Sequence, residues 1–192
     1  MTSFTVHTLE SAPSQSRPLL EGIKQAFGFV PNLYAVFAES PAALKGALAM
    51  GEAFAKSTLS PAEQQLVALA VSEANNCRFC VAAHSTLAKH MAKADPAWVA
   101  ATRSREPLPD ARLDVLVTFT RKLVEQRGFV SDADVDRFFQ AGYTKAQLIE
   151  VLLGVGMKTF NNYMDHLAHV PLNEQFQAEV WRPTRRVALE RA

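Results

Sequence analysis

The stretch Asn75-Asn76-Cys77-Arg78-Phe79-Cys80-Val81-Ala82-Ala83-His84 holds the only two cysteines of the chain, spaced Cys-x-x-Cys, and a histidine one helical turn beyond the second. This spacing suits a redox-active thiol pair with its own base. On a helix, side chains at i and i+3 or i+4 face one another, so Cys77 meets Cys80 and Cys80 meets His84. The thiolate is the nucleophile, and it is favoured at a helix N-terminus and beside an imidazole. Asn75-Asn76 interrupts the preceding apolar run, and Asn76 reads as the cap of a new helix. Cys77 then falls in the first turn, where free backbone N–H groups favour negative charge. Once one thiol is oxidised to a sulfenic acid or mixed disulfide, the other can resolve it to an internal disulfide. Arg78 either adds positive charge or points to solvent.

Helices must position these groups. Ser60-Pro61-Ala62-Glu63 combines a cap, proline at the first helical position and glutamate three residues after the cap, which is a capping box. Leu66, Val67, Leu69, Ala70 and Val71 make the helix from there to Asn75 apolar on most sides, as in a central buried helix. The cysteine helix follows, through about Met91. Upstream, residues 1–17 lack apolar periodicity and read as an extended arm. Leu19, Leu20, Ile23 and Phe27 fit a short helix stopping at Gly28. Phe29-Val30-Pro31-Asn32-Leu33 reads as a turn into a second helix, and Ser40-Pro41 starts a third. Downstream, Asp95-Pro96 opens a short helix, Asp110 caps a long amphipathic one, and Ser131 starts another that ends near Gly142. Thr144-Lys145-Ala146-Gln147 repeats the capping-box pattern ahead of a helix running towards His169. The order of features from Thr144 to His169 echoes that from Ser60 to His84 and suggests a duplicated helical unit. No segment alternates with period two, so the fold class is all-α: one helical domain over 18–175, between an arm (1–17) and a tail (176–192).

The 192 residues are 48% hydrophobic with a net charge of +1, which fits a globular chain that buries one core and gives no reason to expect nucleic acid or an anionic membrane as partner. Arg182, Arg185, Arg186 and Arg191 form a basic tail, but Glu190 interrupts it and no aromatic platform accompanies it. It reads as a solvated terminus or a subunit contact. The first residues have neither the basic start nor the apolar run of a signal peptide, and no segment reaches the ~18 apolar residues of a membrane span. The expected location is cytoplasmic, where a lone cysteine pair rests reduced and serves catalysis or metal binding rather than structure.

Leu59-Ser60-Pro61, the run Leu66-Val67-Ala68-Leu69-Ala70-Val71-Ser72 and the segment from Asn75 to His84 together resemble the signature of the alkyl hydroperoxidase D and carboxymuconolactone decarboxylase-like superfamily. Phe29-Val30-Pro31-Asn32-Leu33 with Ser40-Pro41 is similar to its N-terminal segment. Thr159-Phe160-Asn161-Asn162-Tyr163-Met164-Asp165-His166 resembles the Asn-Asn-Tyr and His stretch of its uncharacterised peroxidase-related branch. The resemblance implies an all-helical fold, homo-oligomers built on trimers or hexamers, and a cofactor-free thiol peroxidase activity on a hydroperoxide. It makes Cys80 the peroxide-attacking thiol, Cys77 the resolving thiol and His84 part of a proton relay that begins at a glutamate on the preceding helix. An external dithiol or thioredoxin-like donor would restore both thiols. Two positions depart from the pattern: the relay glutamate is replaced by Gln65, which cannot exchange a proton near neutral pH, and the histidine before the second cysteine is replaced by Phe79. Glu73 could supply the missing acid, since on an unbroken helix Glu73, Cys77 and His84 would lie within about 40° of one another. Glu63, which the capping box also claims, and Glu150 are the other candidates.

Other readings remain for the same residues. A structural zinc site needs a fourth ligand, which only His90 or His166 could add. The cysteines could instead be small buried hydrophobes. His166, Asn161 and Asn162 could bond buried backbone at a subunit contact. On the functional side, lactone decarboxylase chemistry would use His84 without either thiol, and a redox-sensing or disulfide-exchange protein would cycle the pair without turning over a substrate.

Overall fold

A computed structural model describes residues 4–183, so Arg185, Arg186 and Arg191 of the basic tail lie outside the described residues. Helices α1 (Arg17–Phe27), α2 (Asn32–Phe37) and α3 (Pro41–Ala55) lead into α4 (Pro61–Ala74) and α5 (Arg78–His90). They are followed by α6 (Pro96–Ser104), α7 (Ala111–Glu125), α8 (Asp132–Gln140), α9 (Lys145–Ala168) and a 3-10 helix (Glu174–Glu179). The fold is all-α: no strand occurs among the described residues. No helix among them is long and apolar enough to cross a membrane.

Local chemistry starts and stops these helices. Ser60 and Glu63 form the reciprocal capping box at α4, and Thr144 and Gln147 do the same at α9. Pro41, Pro61 and Pro96 occupy first-turn positions, where a missing N–H costs nothing. Gly28 ends α1 at φ 79°, a conformation that glycine adopts without strain. The N-terminal arm lies against α2: the Ser16 hydroxyl donates to the Ala38 carbonyl at 2.7 Å and the His7 amide to the Ala35 carbonyl at 3.3 Å.

Helix α4 is the centre of the bundle. Leu66 through Glu73 are all buried in one unbroken run, with α5, α6, α7 and α9 packed around them. Three apolar clusters result. One joins α1, α2 and the first turns of α5, a second joins α3, α4, α7, α8 and α9, and a third holds α6 and Trp181 against α4 and α5.

The corner between α4 and α5 corrects the sequence reading of the cap. Asn76 is not the cap of the cysteine helix; it closes α4 in the left-handed conformation, at φ 57°. The Cys77 amide donates to the Ser72 carbonyl and the Asn76 amide to the Glu73 carbonyl, both at 2.9 Å, which is the paired bonding of a Schellman motif. Asparagine tolerates that conformation better than most residues, and this use outcompetes capping. Cys77 therefore becomes the cap of α5 itself.

Gly154 lets α9 lie close to α3 and α4: a Cβ there would sit 2.8 Å from the Phe54 ring and 2.9 Å from Val67. Overpacking of this kind costs about 1–3 kcal/mol, and with two buried neighbours it should exceed the ~1 kcal/mol that alanine gains over glycine in a helix. Gly154→Ala is thus expected to lower the urea midpoint, and an unchanged or raised midpoint would contradict the close packing.

Candidate active site

The cap position gives Cys77 two hydrogen bonds. Its Sγ accepts the Cys80 amide at 3.3 Å, standing in for the oxygen of a usual cap, and its S–H donates to Oδ2 of Asp165 on α9 at 3.2 Å. Both thiols are free and buried, and the pair lies 2.8 Å apart. Burial raises the Cys77 thiol well above the ordinary cysteine range, and its neighbours Cys80 and Asp165 push the same way. Burial and the charge of Asp165 pull Cys80 upward, but a hydrogen bond from Cys77, formed when its S–H turns from Asp165 to the neighbouring sulfur, the positive charge of Lys158 and a hydrogen bond from Asn162 outweigh them, leaving that thiol below its ordinary value. The pair is therefore unequal: Cys80 ionises more readily than Cys77.

His84 sits one turn after Cys80 on the unbroken α5, on the same face. Its Nδ1 lies 2.9 Å from Oε1 of Gln65 on α4. With the amide oxygen as acceptor, Nδ1 carries the hydrogen and Nε2 is left as the basic nitrogen. Gln65 thus reaches the histidine from the relay position and fixes its tautomer, although an amide cannot take the proton onward. Burial, reinforced by Lys158, pushes His84 well below the usual histidine range, so the ring is neutral at neutral pH. One cation thereby favours thiolate at Cys80 and disfavours imidazolium at His84.

Glu73 is not brought to the thiols. Its buried carboxylate pairs with Arg121 at 3.3 Å and Arg105 at 3.6 Å, towards α6 and α7. Burial raises its pKa, opposed by those two guanidinium groups. The break at Asn76 turns α5 away from the axis on which the helical arithmetic placed Glu73 beside Cys77. Glu63 serves its capping box, an ion pair with Arg112 at 2.5 Å and a hydrogen bond from Tyr143 at 3.0 Å. Glu150 accepts the Thr58 amide and hydroxyl at the surface. Phe79 meets Phe176 edge to face, which ties the 3-10 helix over α5. His166 lies beside the Tyr163 ring. No group of three or more His, Cys, Asp or Glu side chains among the described residues is arranged to hold a metal ion.

The partners of the thiols beyond α5 come from one face of α9: Lys158 and Asp165, to which sequence reasoning gave no role, and Asn162, which it weighed, with Asn161, only for a subunit contact. Lys158, Asn161, Asn162 and Asp165 are buried, and their i, i+3, i+4, i+7 spacing puts them on a single stripe. Asn162 accepts from the Asn75 side chain at 3.0 Å and donates to the Ser72 hydroxyl at 3.3 Å, fastening α9 to the α4–α5 corner. Oδ1 of Asn161 is buried without a hydrogen-bond partner. A polar stripe at core spacing inside an otherwise apolar helix is the signal that marks these residues. A surface hollow between α7 and α8, lined by Asp114, Phe119, Lys122 and Arg137 among others, contains none of them.

Residues 41–108 match the Carboxymuconolactone decarboxylase family. No curated protein matches the chain. Among solved structures, an uncharacterized peroxidase-related protein of the alkylhydroperoxidase AhpD core type from Ralstonia eutropha JMP134 superposes with a TM-score of 0.80 at 22% identity, covering 93% of this chain and 97% of its own. An uncharacterized peroxidase-related protein from Silicibacter sp. TM1040 gives 0.78 at 21% identity, covering 92% and 95%. The debrominase Bmp8, solved free and, as a Cys-to-Ala variant, with 2,3,4-tribromopyrrole, gives 0.78 at 16% identity, covering 93% and 96%. These likenesses show a shared fold.

The inequality of the thiols can be read from thiolate ultraviolet absorbance titrated with pH. The first thiolate should appear below the ~8.5 of an ordinary cysteine, vanish in Cys80→Ser, and move to higher pH in Cys77→Ser. A low step that survives Cys80→Ser would reverse the assignment.

Proposed function

We propose that this chain, a member of the alkyl hydroperoxidase D and carboxymuconolactone decarboxylase-like superfamily, is a thiol-dependent hydroperoxide reductase that needs no cofactor. The observation that carries the reading is geometric: two free, buried thiols, Cys77 and Cys80, at the start of α5 with His84 one turn beyond on the same face, and the directions of their ionisation favour Cys80 as the attacking sulfur. A neutral His84 with Nε2 free can pass on the Cys80 proton without holding it, because burial and then Lys158 disfavour the charged ring. The Cys80 thiolate attacks the outer oxygen of R–O–O–H; the O–O bond breaks, Cys80 becomes a sulfenic acid, and the alkoxide leaves as an alcohol after taking a proton. Cys77 then displaces water to give the disulfide, and an external dithiol or thioredoxin-like donor returns both thiols. That cycle suits a reducing, cytoplasmic setting.

A second reading draws on the fold shared with the debrominase and on the aromatic side chains Phe29, Phe79 and Phe176 that cluster with the thiols. The same dithiol can supply two electrons to a carbon–bromine bond, giving C–H, bromide, a proton and the disulfide. Lactone chemistry has no use for an acidified Cys80, and a sensor would form the disulfide without turnover.

The assembly belongs to the same proposal. Ile149, Leu152, Phe160, Tyr163 and Leu167 are 39–65% exposed along α9, a longer apolar stripe than a solvated helix carries. A second copy of the chain covers it, as the family resemblance implies. Leu152→Asp combined with Tyr163→Asp should reduce the mass in light scattering to that of one chain; an unchanged mass would place the contact elsewhere.

The activity test is hydroperoxide consumption with a dithiol donor. Wild type should turn over, Cys80→Ser should not, and His84→Ala should slow it by about 10²-fold or more, the usual contribution of a general base. Consumption that survives Cys80→Ser would sink the peroxidase reading. Disulfide formation without turnover would favour the sensor, and bromide release from a bromopyrrole in place of peroxide consumption would favour the debrominase reading.

A further inference from the structure

Asp165 is the carboxylate nearest the chemistry by hydrogen bonding, yet it does not serve the attacking thiol. It holds the S–H of Cys77 at 3.2 Å and lies buried with it. A structural capping role would leave Cys77 with only the Cys80 amide to bind; here the thiol is also paired with a carboxylate able to accept its proton. We infer that Asp165 is the general base of the resolving step, taking the proton of Cys77 as that sulfur attacks the sulfenic acid on Cys80. The inference rests on the peroxidase reading and assigns a residue on α9 to its second half.

The step balances within the site. The Cys77 Sγ–Cys80 Sγ bond forms as the Cys80 S–O bond breaks. The sulfenic sulfur is reduced and the Cys77 sulfur is oxidised, each ending in the disulfide. The Cys77 proton passes to Oδ2 of Asp165 and from there to the departing hydroxide, which leaves as water. No further oxidant or reductant is needed.

The geometry explains why a group outside the Gln65–His84 line is required. Burial and neighbouring negative charge keep Cys77 protonated, so it does not ionise on its own near neutral pH. A protonated thiol is a poor nucleophile, and resolution must couple proton removal to S–S bond formation. Burial also raises Asp165 above the usual carboxylate range, which makes it a stronger base than an exposed aspartate while its hydrogen bond to Cys77 and the nearby charges of His166 and His169 restrain the rise. His84, one turn beyond Cys80, addresses the first step; Asp165 addresses the second.

The test separates the two steps with full-length protein, one equivalent of cumene hydroperoxide and a dimedone trap read by mass spectrometry. In wild type, sulfenic acid should be transient and give way to the disulfide. In Asp165→Asn, which keeps the shape but cannot accept a proton, sulfenic acid should still form and should persist, with disulfide formation slower by about 10²-fold or more, approaching the block expected in Cys77→Ser. Asp165→Glu should restore disulfide formation at least in part, which a purely structural role for the aspartate would not require, and it keeps the inference testable where the Asn variant fails to fold. Disulfide formation in Asp165→Asn at the wild-type rate would overturn the inference and leave the peroxidase reading standing. No rescue by Asp165→Glu in a folded protein would overturn it too. Absence of any dimedone adduct or disulfide in peroxide-treated wild type would overturn both.

Discussion

The turn at Asn75, Asn76 and Cys77 is the constraint on which the remaining arrangement depends. Helix α4 is buried from Leu66 to Glu73, so the carbonyls of its last turn must find donors inside the protein. The Schellman bonds supply them, at the cost of one left-handed residue. Because the chain then leaves in a defined direction, α5 begins at once and its cap is a cysteine. The local bonding that ends one helix therefore sets the position of the sulfur that starts the next.

Helix α9 supplies the electrostatics that the thiols lack by themselves. Lys158 and Asp165 lie two turns apart on its buried stripe, one positive and one negative, with Asn162 between them bonded to the corner. In a setting where water screens little, these charges act strongly on their neighbours. Burial, with Cys80 and then Asp165 adding to it, holds Cys77 as a thiol; Lys158 favours the ionised form of Cys80. Two cysteines three residues apart, in nearly the same degree of burial, are thus made unequal by their own contact and by charges from elsewhere in the chain.

Much of the local structure is written in short-range chemistry and can be read directly. The capping boxes at Ser60 and Thr144, the first-turn prolines, the stop at Gly28 and the facing of Cys77, Cys80 and His84 depend on residues within one turn of each other. The cap at Asn76 is harder, because asparagine suits both a helix start and a left-handed helix end, and the buried end of α4 decides between them. Glu73 is drawn away by Arg105 and Arg121, partners that no local pattern links to it. Asp165 stands 88 residues from Cys77, and only the packing of α9 brings them together. Gln65 shows the converse: its contact with His84 follows the expected geometry, while its amide changes the chemistry available there.

That separation has a meaning for the chain as it is made. The cysteines and their histidine lie in the first half, whereas the charges that distinguish the two sulfurs arrive with α9, near the end. Until that last long helix docks, a partly synthesised or partly unfolded chain carries two thiols without the charges of Lys158 and Asp165 that act on them. Reactivity is therefore not a property of the Cys-x-x-Cys segment alone; completion of the fold adds the charges that sharpen the difference between its sulfurs.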